Sequence, residues 1–136
     1  MTTIACDLKH MVADRRVTCG DIQFPATKIF KIRGDILGAA GIGGDCEAFM
    51  DWYRKQTAIP SLNREEFEAM VLTKQGIFFF DYTCVGFKVE REFHAVGAGA
   101  LGALVAMRKG ATPKEAIELV AEFSIDTGPE TDTIEL

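Results

Sequence analysis

The sequence is poor in the groups that usually build a metal centre. It holds two histidines, His10 and His94, and four cysteines, Cys6, Cys19, Cys46 and Cys84, with no CxxC pair. That spacing supplies neither a zinc site nor a disulfide framework, so no cofactor is required. The thiols read as buried apolar groups in a reducing cytosol. Basic character is also scarce. The net charge is −5, and no basic stretch with interleaved aromatics offsets it. Nucleic acid and anionic membrane surfaces are therefore excluded as main partners. No apolar run is long enough to span a bilayer, and Gly76-Ile77-Phe78-Phe79-Phe80 is strand-sized. Asp7, Lys9 and His10 interrupt the apolar start, so no secretory leader is expected and the cytoplasm is the expected location. No Lys-Ser/Thr follows the glycines at 41–44, which argues against a nucleotide loop.

What is present is an ordinary globular composition. The chain has 136 residues, 48% of them apolar and 26% charged, which predicts a single domain over 1–136. The first third reads as short strands: 3–7, a turn at Leu8-Lys9-His10, then a strand from Met11 to about Cys19. A loop is expected over 21–27, followed by an alternating strand at 28–32, a hairpin turn at Gly34-Asp35 and a buried strand at 36–40. A helix is predicted from Asp45, acting as its cap, to about Gln56. Two strands, 67–73 and 77–82, form a predicted hairpin around Lys74-Gln75-Gly76, and strands at 85–89 and 93–96 follow. Helices are predicted over 98–108 and over 113–123, the second with Thr112 as cap and Pro113 in its first turn. A last strand is expected at 133–136. Strands interrupted and followed by helices predict an α+β sandwich, with sheets covered by helices on both outer faces.

The first residues carry chemistry. The chain opens Met1-Thr2-Thr3-Ile4-Ala5-Cys6-Asp7. Thr2 is small enough for the initiator Met1 to be trimmed, which would leave an α-amine beside a hydroxyl. That amine titrates at about 8 and can take the hydroxyl proton, so Thr2 would carry its own base. Further on come Asp14-Arg15-Arg16-Val17-Thr18-Cys19-Gly20, then Lys28-Ile29, then Gly41-Ile42-Gly43-Gly44-Asp45. A lysine ammonium beside a threonine hydroxyl favours the alkoxide, and a carboxylate keeps that ammonium charged and in place. Lys31 competes with Lys28 for this role. A Gly-rich turn at a helix N-terminus offers backbone N–H groups to developing negative charge.

In this order the motifs resemble the proteasome β-type family of N-terminal nucleophile hydrolases, in particular its HslV-like members. The resemblance extends to Val96-Gly97-Ala98-Gly99 and to Ser124-Ile125-Asp126-Thr127-Gly128, and so covers nearly the whole chain. It implies a four-layer αββα sandwich. It also implies a threonine endopeptidase working in a self-assembled ring, with AAA+ unfoldases as candidate partners and unfolded protein or peptide as substrate. By the same resemblance Thr2 is the nucleophile, Lys28 the catalytic lysine and Asp14 its partner acid. Gly43 falls on the oxyanion glycine. Thr18 falls on the residue whose backbone pairs with the peptide, and Val17 and Asp45 fall on the specificity pocket, where an acid would favour a basic side chain. Asp45 also reads as a helix cap. Ser124 and Thr127 fall where relatives hold a structural cation (Na+, K+ or Mg2+) with backbone carbonyls.

Two departures stand out. Ala98 replaces a serine that orients the terminal amine, and Thr127 is a candidate substitute. The chain is also short around 57–63, where relatives place a second long helix, so one helical layer should be reduced. Two alternatives stay open: a catalytically inactive scaffold of the same fold, and a small-amide hydrolase acting outside any ring.

Overall fold

A computed structural model describes all residues 1–136. Two antiparallel sheets stack face to face between helices. One has the order β10-β1-β2-β11, built from β1 (Thr3–Asp7), β2 (His10–Asp14), β10 (Phe93–Gly97) and β11 (Thr131–Glu135). The other has the order β5-β6-β7-β8-β9, built from β5 (Ile29–Ile32), β6 (Asp35–Ala40), β7 (Glu68–Thr73), β8 (Gly76–Phe80) and β9 (Gly86–Lys88). A separate hairpin of β3 (Arg16–Cys19) and β4 (Ile22–Pro25) stands beside them.

Three helices cover the outer faces. These are α1 (Gly43–Lys55), α2 (Ala100–Arg108) and α3 (Pro113–Phe123). Strand alternation sorts the side chains into layers. Ile4, Cys6, Met11 and Ala13 meet Ile29, Ile36, Met70, Leu72 and Ile77 between the sheets. On the outer side of the four-stranded sheet, Ala5, Val12 and Ala95 pack on Ala103, Met107, Ala116 and Ile117 of α2 and α3. Opposite, Leu37, Ala39, Ala69 and Val71 pack on Phe49 and Met50 of α1. The predicted αββα order is therefore present. The layer of α1 holds one helix alone, and 56–67 contains no further helix. No helix is long and apolar enough to cross a membrane.

The structure corrects several local expectations. The strand begun at Met11 does not continue to Cys19. It leaves the sheet at Arg15, whose N–H donates to Glu130 O at 3.0 Å, and restarts as β3. The expected loop at 21–27 contains β4, registered Val17 to Phe24 and Cys19 to Ile22. The β5–β6 turn is Arg33-Gly34, both at positive φ (56° and 83°). A two-residue turn of that hand matches the strand twist, which frees Asp35 to join β6. Helix α1 opens at Gly43 with Ile42 as an N-cap lacking a side-chain bond, so Asp45 lies inside the first turn and is not the cap. Thr112 caps α3 through a reciprocal capping box with Glu115, in line with its sequence.

Candidate functional site

The antiparallel layout gathers the candidate residues at one end of the sandwich. β1, β5, β7 and β11 start there, while β2, β6 and β10 finish there. Thr2 and Thr3 open β1, Asp14 closes β2, Lys28 directly precedes β5, and Gly97 closes β10. Thr127 and Gly128 lie just before β11.

Asp14 is completely buried. Its Oδ1 accepts from Thr3 N at 2.9 Å and from Lys28 Nζ at 3.0 Å. Its Oδ2 accepts from Gly128 N at 3.0 Å and Arg16 N at 3.2 Å. Four donors compensate the desolvation of one carboxylate, without which such burial would be prohibitive. Lys28 has three ammonium hydrogens and three acceptors: Asp14 Oδ1, Arg16 O at 2.6 Å and Met1 O at 3.2 Å. Its side chain is only 8% exposed. Burial lowers its proton affinity below the ordinary lysine value, and the neighbouring Asp14 charge pulls it back in part. Lys31, the competitor, is exposed on the alternate face.

Thr2 is half-buried and Thr3 fully buried. Alternation puts Thr2 on the same side as Ile4, toward the second sheet and Lys28, and turns Thr3 toward the α2 layer. Thr3 Oγ1 accepts from Gly99 N at 3.0 Å and shares a 2.8 Å hydrogen bond with Thr127 Oγ1. Thr127, the candidate substitute for the missing serine, therefore spends its hydroxyl on Thr3. Ala98 is exposed, and its N–H donates to Thr2 O at 2.7 Å. Gly97 takes φ 98°, and a Cβ there would lie 1.9 Å from Thr2 O. Only glycine allows that approach.

Gly43 is exposed at the first position of α1. Asp45 N and Cys46 N turn back to Ile42 O, whereas the N–H groups of Gly43 and Gly44 precede any intrahelical acceptor. Gly41 has φ 133°, and its missing Cβ would sit 3.0 Å from Glu66 O. Asp45 Oδ2 accepts from Asn63 N at 3.0 Å, tying α1 to the connector after it. Cys46 is half-buried and close enough to Lys28 for each to feel the other's charge. Burial and the Asp45 and Glu47 carboxylates push its thiol up to about 11.

Val17 and Thr18 lie on β3 of the hairpin. Arg15 O accepts from Ala26 N, while Arg16 turns its N–H and C=O the other way, to Asp14 and Lys28. The alternation leaves the N–H and C=O of Thr18 on the open edge of β3.

Ser124 ends α3, and its carbonyl accepts from Thr127 N at 3.4 Å. The Ile125 carbonyl of the same turn accepts from Arg16 Nη1 at 3.1 Å. A cation there would face a guanidinium already in place, so the turn is a poor fit for one. Sequence reasoning missed Glu68, which accepts from Gly97 N, and the anchoring role of Thr3. A polar residue at the start of an otherwise apolar strand was the available signal for Glu68.

These layers define the chain as an αββα sandwich with the fold of HslV and the proteasome-type N-terminal nucleophile hydrolases. Among solved structures it is similar to eukaryotic HslV from Trypanosoma brucei, at 20% identity and a TM-score of 0.77, over 98% of both chains. It is also similar to BPH of Thiobacillus denitrificans in a complex with epoxomicin, at 15% identity and a TM-score of 0.74, over 99% of this chain and 97% of that one. A further structure of Thiobacillus denitrificans BPH matches at 16% identity and a TM-score of 0.73, over 99% of this chain and 96% of that one. No protein-family description matches the sequence. No curated protein matches it either.

Proposed function

We propose that the chain is a threonine-type peptidase subunit, with Thr2 as nucleophile once Met1 is removed. One observation carries this reading: the buried Lys28–Asp14 pair lies against the start of the chain, with Lys28 Nζ 3.0 Å from Asp14 and 3.2 Å from Met1 O. A buried cation held against a buried acid is costly, and the cost is rational where the cation serves a reaction.

The steps follow from these groups. The Thr2 hydroxyl gives its proton to its own α-amine, and Lys28 stabilises the forming alkoxide. The oxygen attacks a peptide carbonyl. The oxyanion is met by backbone N–H groups of the Gly-rich turn, with Gly43 the proposed donor. Collapse breaks the C–N bond, the α-amine returns the proton to the leaving amine, and an ester on Thr2 remains. Water then gives its proton to the α-amine and attacks the ester, releasing a carboxylate and restoring Thr2. The substrate would lie extended along the open edge of β3 at Thr18.

Val17 and Asp45 are proposed for the specificity pocket. A preference for Arg-type over Leu-type reporter peptides supports Asp45 as a specificity acid. Indifference leaves it as a tie to Asn63. We also propose a ring of identical subunits, acting on unfolded chains, with an AAA+ unfoldase as candidate partner in the cytoplasm. Leu101 and Val105 lie one turn apart on α2, 77% and 59% exposed, and are the apolar surface offered to a neighbouring copy. Mass spectrometry after exposure to a peptide epoxyketone tests the catalytic reading. One adduct on Thr2 of Met1-free protein is expected. A Met1-free chain that stays unlabelled would favour the second reading, an inactive scaffold, for which the exposed methyl of Ala98 is the specific observation.

A further inference from the structure

Glu68 opens β7 of the five-stranded sheet, yet its partner lies in the other sheet. Its Oε1 accepts from Gly97 N at 2.6 Å. Gly97 closes β10 and begins the turn that grips the start of the chain. Ala98 N donates to Thr2 O at 2.7 Å, and Gly99 N donates to Thr3 Oγ1 at 3.0 Å. The backbone of Gly97 is packed so closely on Thr2 that a Cβ has no room. The turn itself carries no hydroxyl, because its middle residue is Ala98. Its position relative to the second sheet, where Lys28 lies, is therefore set from outside the turn.

We propose that Glu68 is a positioning residue for the nucleophile. Its carboxylate fixes the Gly97 N–H, the fixed glycine sets the height of the 97–99 turn, and the turn grips Thr3 and so holds Thr2 facing Lys28. Glu68 acts through backbone and does not touch the substrate. The tether leaves β10 paired to β1 throughout its length, so losing it would move the turn without dismantling the strand. The inference rests on the peptidase reading above.

The test uses the full Met1-free protein and three variants, E68Q, E68L and E68A. Gln keeps an acceptor for the Gly97 N–H, while Leu and Ala remove it. The inactivation rate and the apparent binding constant for a peptide epoxyketone are measured together with amide exchange at residues 97–99 and melting temperature. E68L and E68A are expected to lower the maximal inactivation rate about 10- to 100-fold, the cost of a displacement on the order of 1 Å at a reacting group. The binding constant should stay nearly unchanged, the amides of Gly97 and Ala98 should exchange faster, and E68Q should stay close to the parent. A purely structural role predicts something else: less folded protein, whose surviving fraction reacts at the parental rate. That result overturns the proposal, as does failure of both E68L and E68A to fold. If the parent labels and E68L labels equally fast, the positioning role fails and the peptidase reading stands. If the Met1-free parent never labels, both fail.

Discussion

Lys28 Nζ lies 3.2 Å from the carbonyl oxygen of Met1, so the side chain proposed to activate Thr2 is spending one of its three donors on the residue that blocks it. While Met1 remains, Thr2 has no α-amine and the ammonium is fully satisfied. The expected outcome is a protein silent until processed. A chain carrying extra residues ahead of Thr2 should give no epoxyketone adduct, whereas the trimmed chain should give one per subunit. Intact mass before and after exposure reads both facts at once. Equal labelling of the extended chain would remove the free amine from the mechanism.

The pH dependence follows from Lys28. Burial lowers its proton affinity below the ordinary lysine value of 10.5. The ammonium is the form that stabilises an alkoxide, so the labelling rate should fall on the alkaline side at a pH below the one where a free lysine deprotonates. On the acid side the Thr2 amine must be neutral to act as base, which sets a limb near about 8. Stability has its own sign. Between the lowered folded value and 10.5 the unfolded chain holds the proton more tightly, so it binds more protons than the folded chain. Stability from this group therefore rises with pH across that window, and the penalty for burying the charge is fully present below it. Urea midpoints of the parent minus those of Lys28→Met, taken at rising pH, check the sign. A midpoint difference that falls through the window contradicts it.

Much of this arrangement was legible in the sequence, and the reasons differ residue by residue. The alternation in β1 and β5 and the capping box at Thr112 are local signals, so those elements lie close to where the pattern puts them. Asp14, Lys28 and the N-terminus converge through long-range pairing, and only the resemblance to a known family made their meeting readable. Asp45 reads as a cap in the sequence, but the helix begins two residues earlier, at Gly43, and places it in the first turn. Cys19 reads as buried in the sequence but is exposed, because β3 leaves the four-stranded sheet and pairs with β4 alone in a two-stranded hairpin. The Glu68 tether could not be inferred, since no local rule connects the start of β7 to the end of β10.

The hydroxyl of Thr3 is a second anchor that can be tested by stability. It is fully buried and joins Gly99 N to Thr127 Oγ1. Thr3→Val keeps the shape but strands a buried N–H and a buried hydroxyl. Each unsatisfied group costs about 1–3 kcal/mol, so a loss of a few kcal/mol is expected in urea unfolding. Thr3→Ser keeps the oxygen and should lose far less. If Val and Ser destabilise equally, the methyl packing matters and the hydrogen bonds do not.

Cysteine chemistry separates reaction at Thr2 from reaction at a thiol, which matters because both attack electrophiles. Cys46 lies near Lys28, but its thiol is pushed up to about 11 by burial and by Asp45 and Glu47. Cys6 and Cys84 are buried, and both are pushed up by desolvation. Cys19 alone is exposed. Thiolates, not thiols, react, so iodoacetamide at neutral pH should modify the folded protein at Cys19 and leave the other three untouched until unfolding. Peptide mapping reads the sites. Blocking Cys19 should then leave the epoxyketone adduct in place, because that adduct is assigned to Thr2. Loss of the adduct after Cys19 is blocked would transfer the reactivity to the thiol and remove the evidence for a threonine nucleophile.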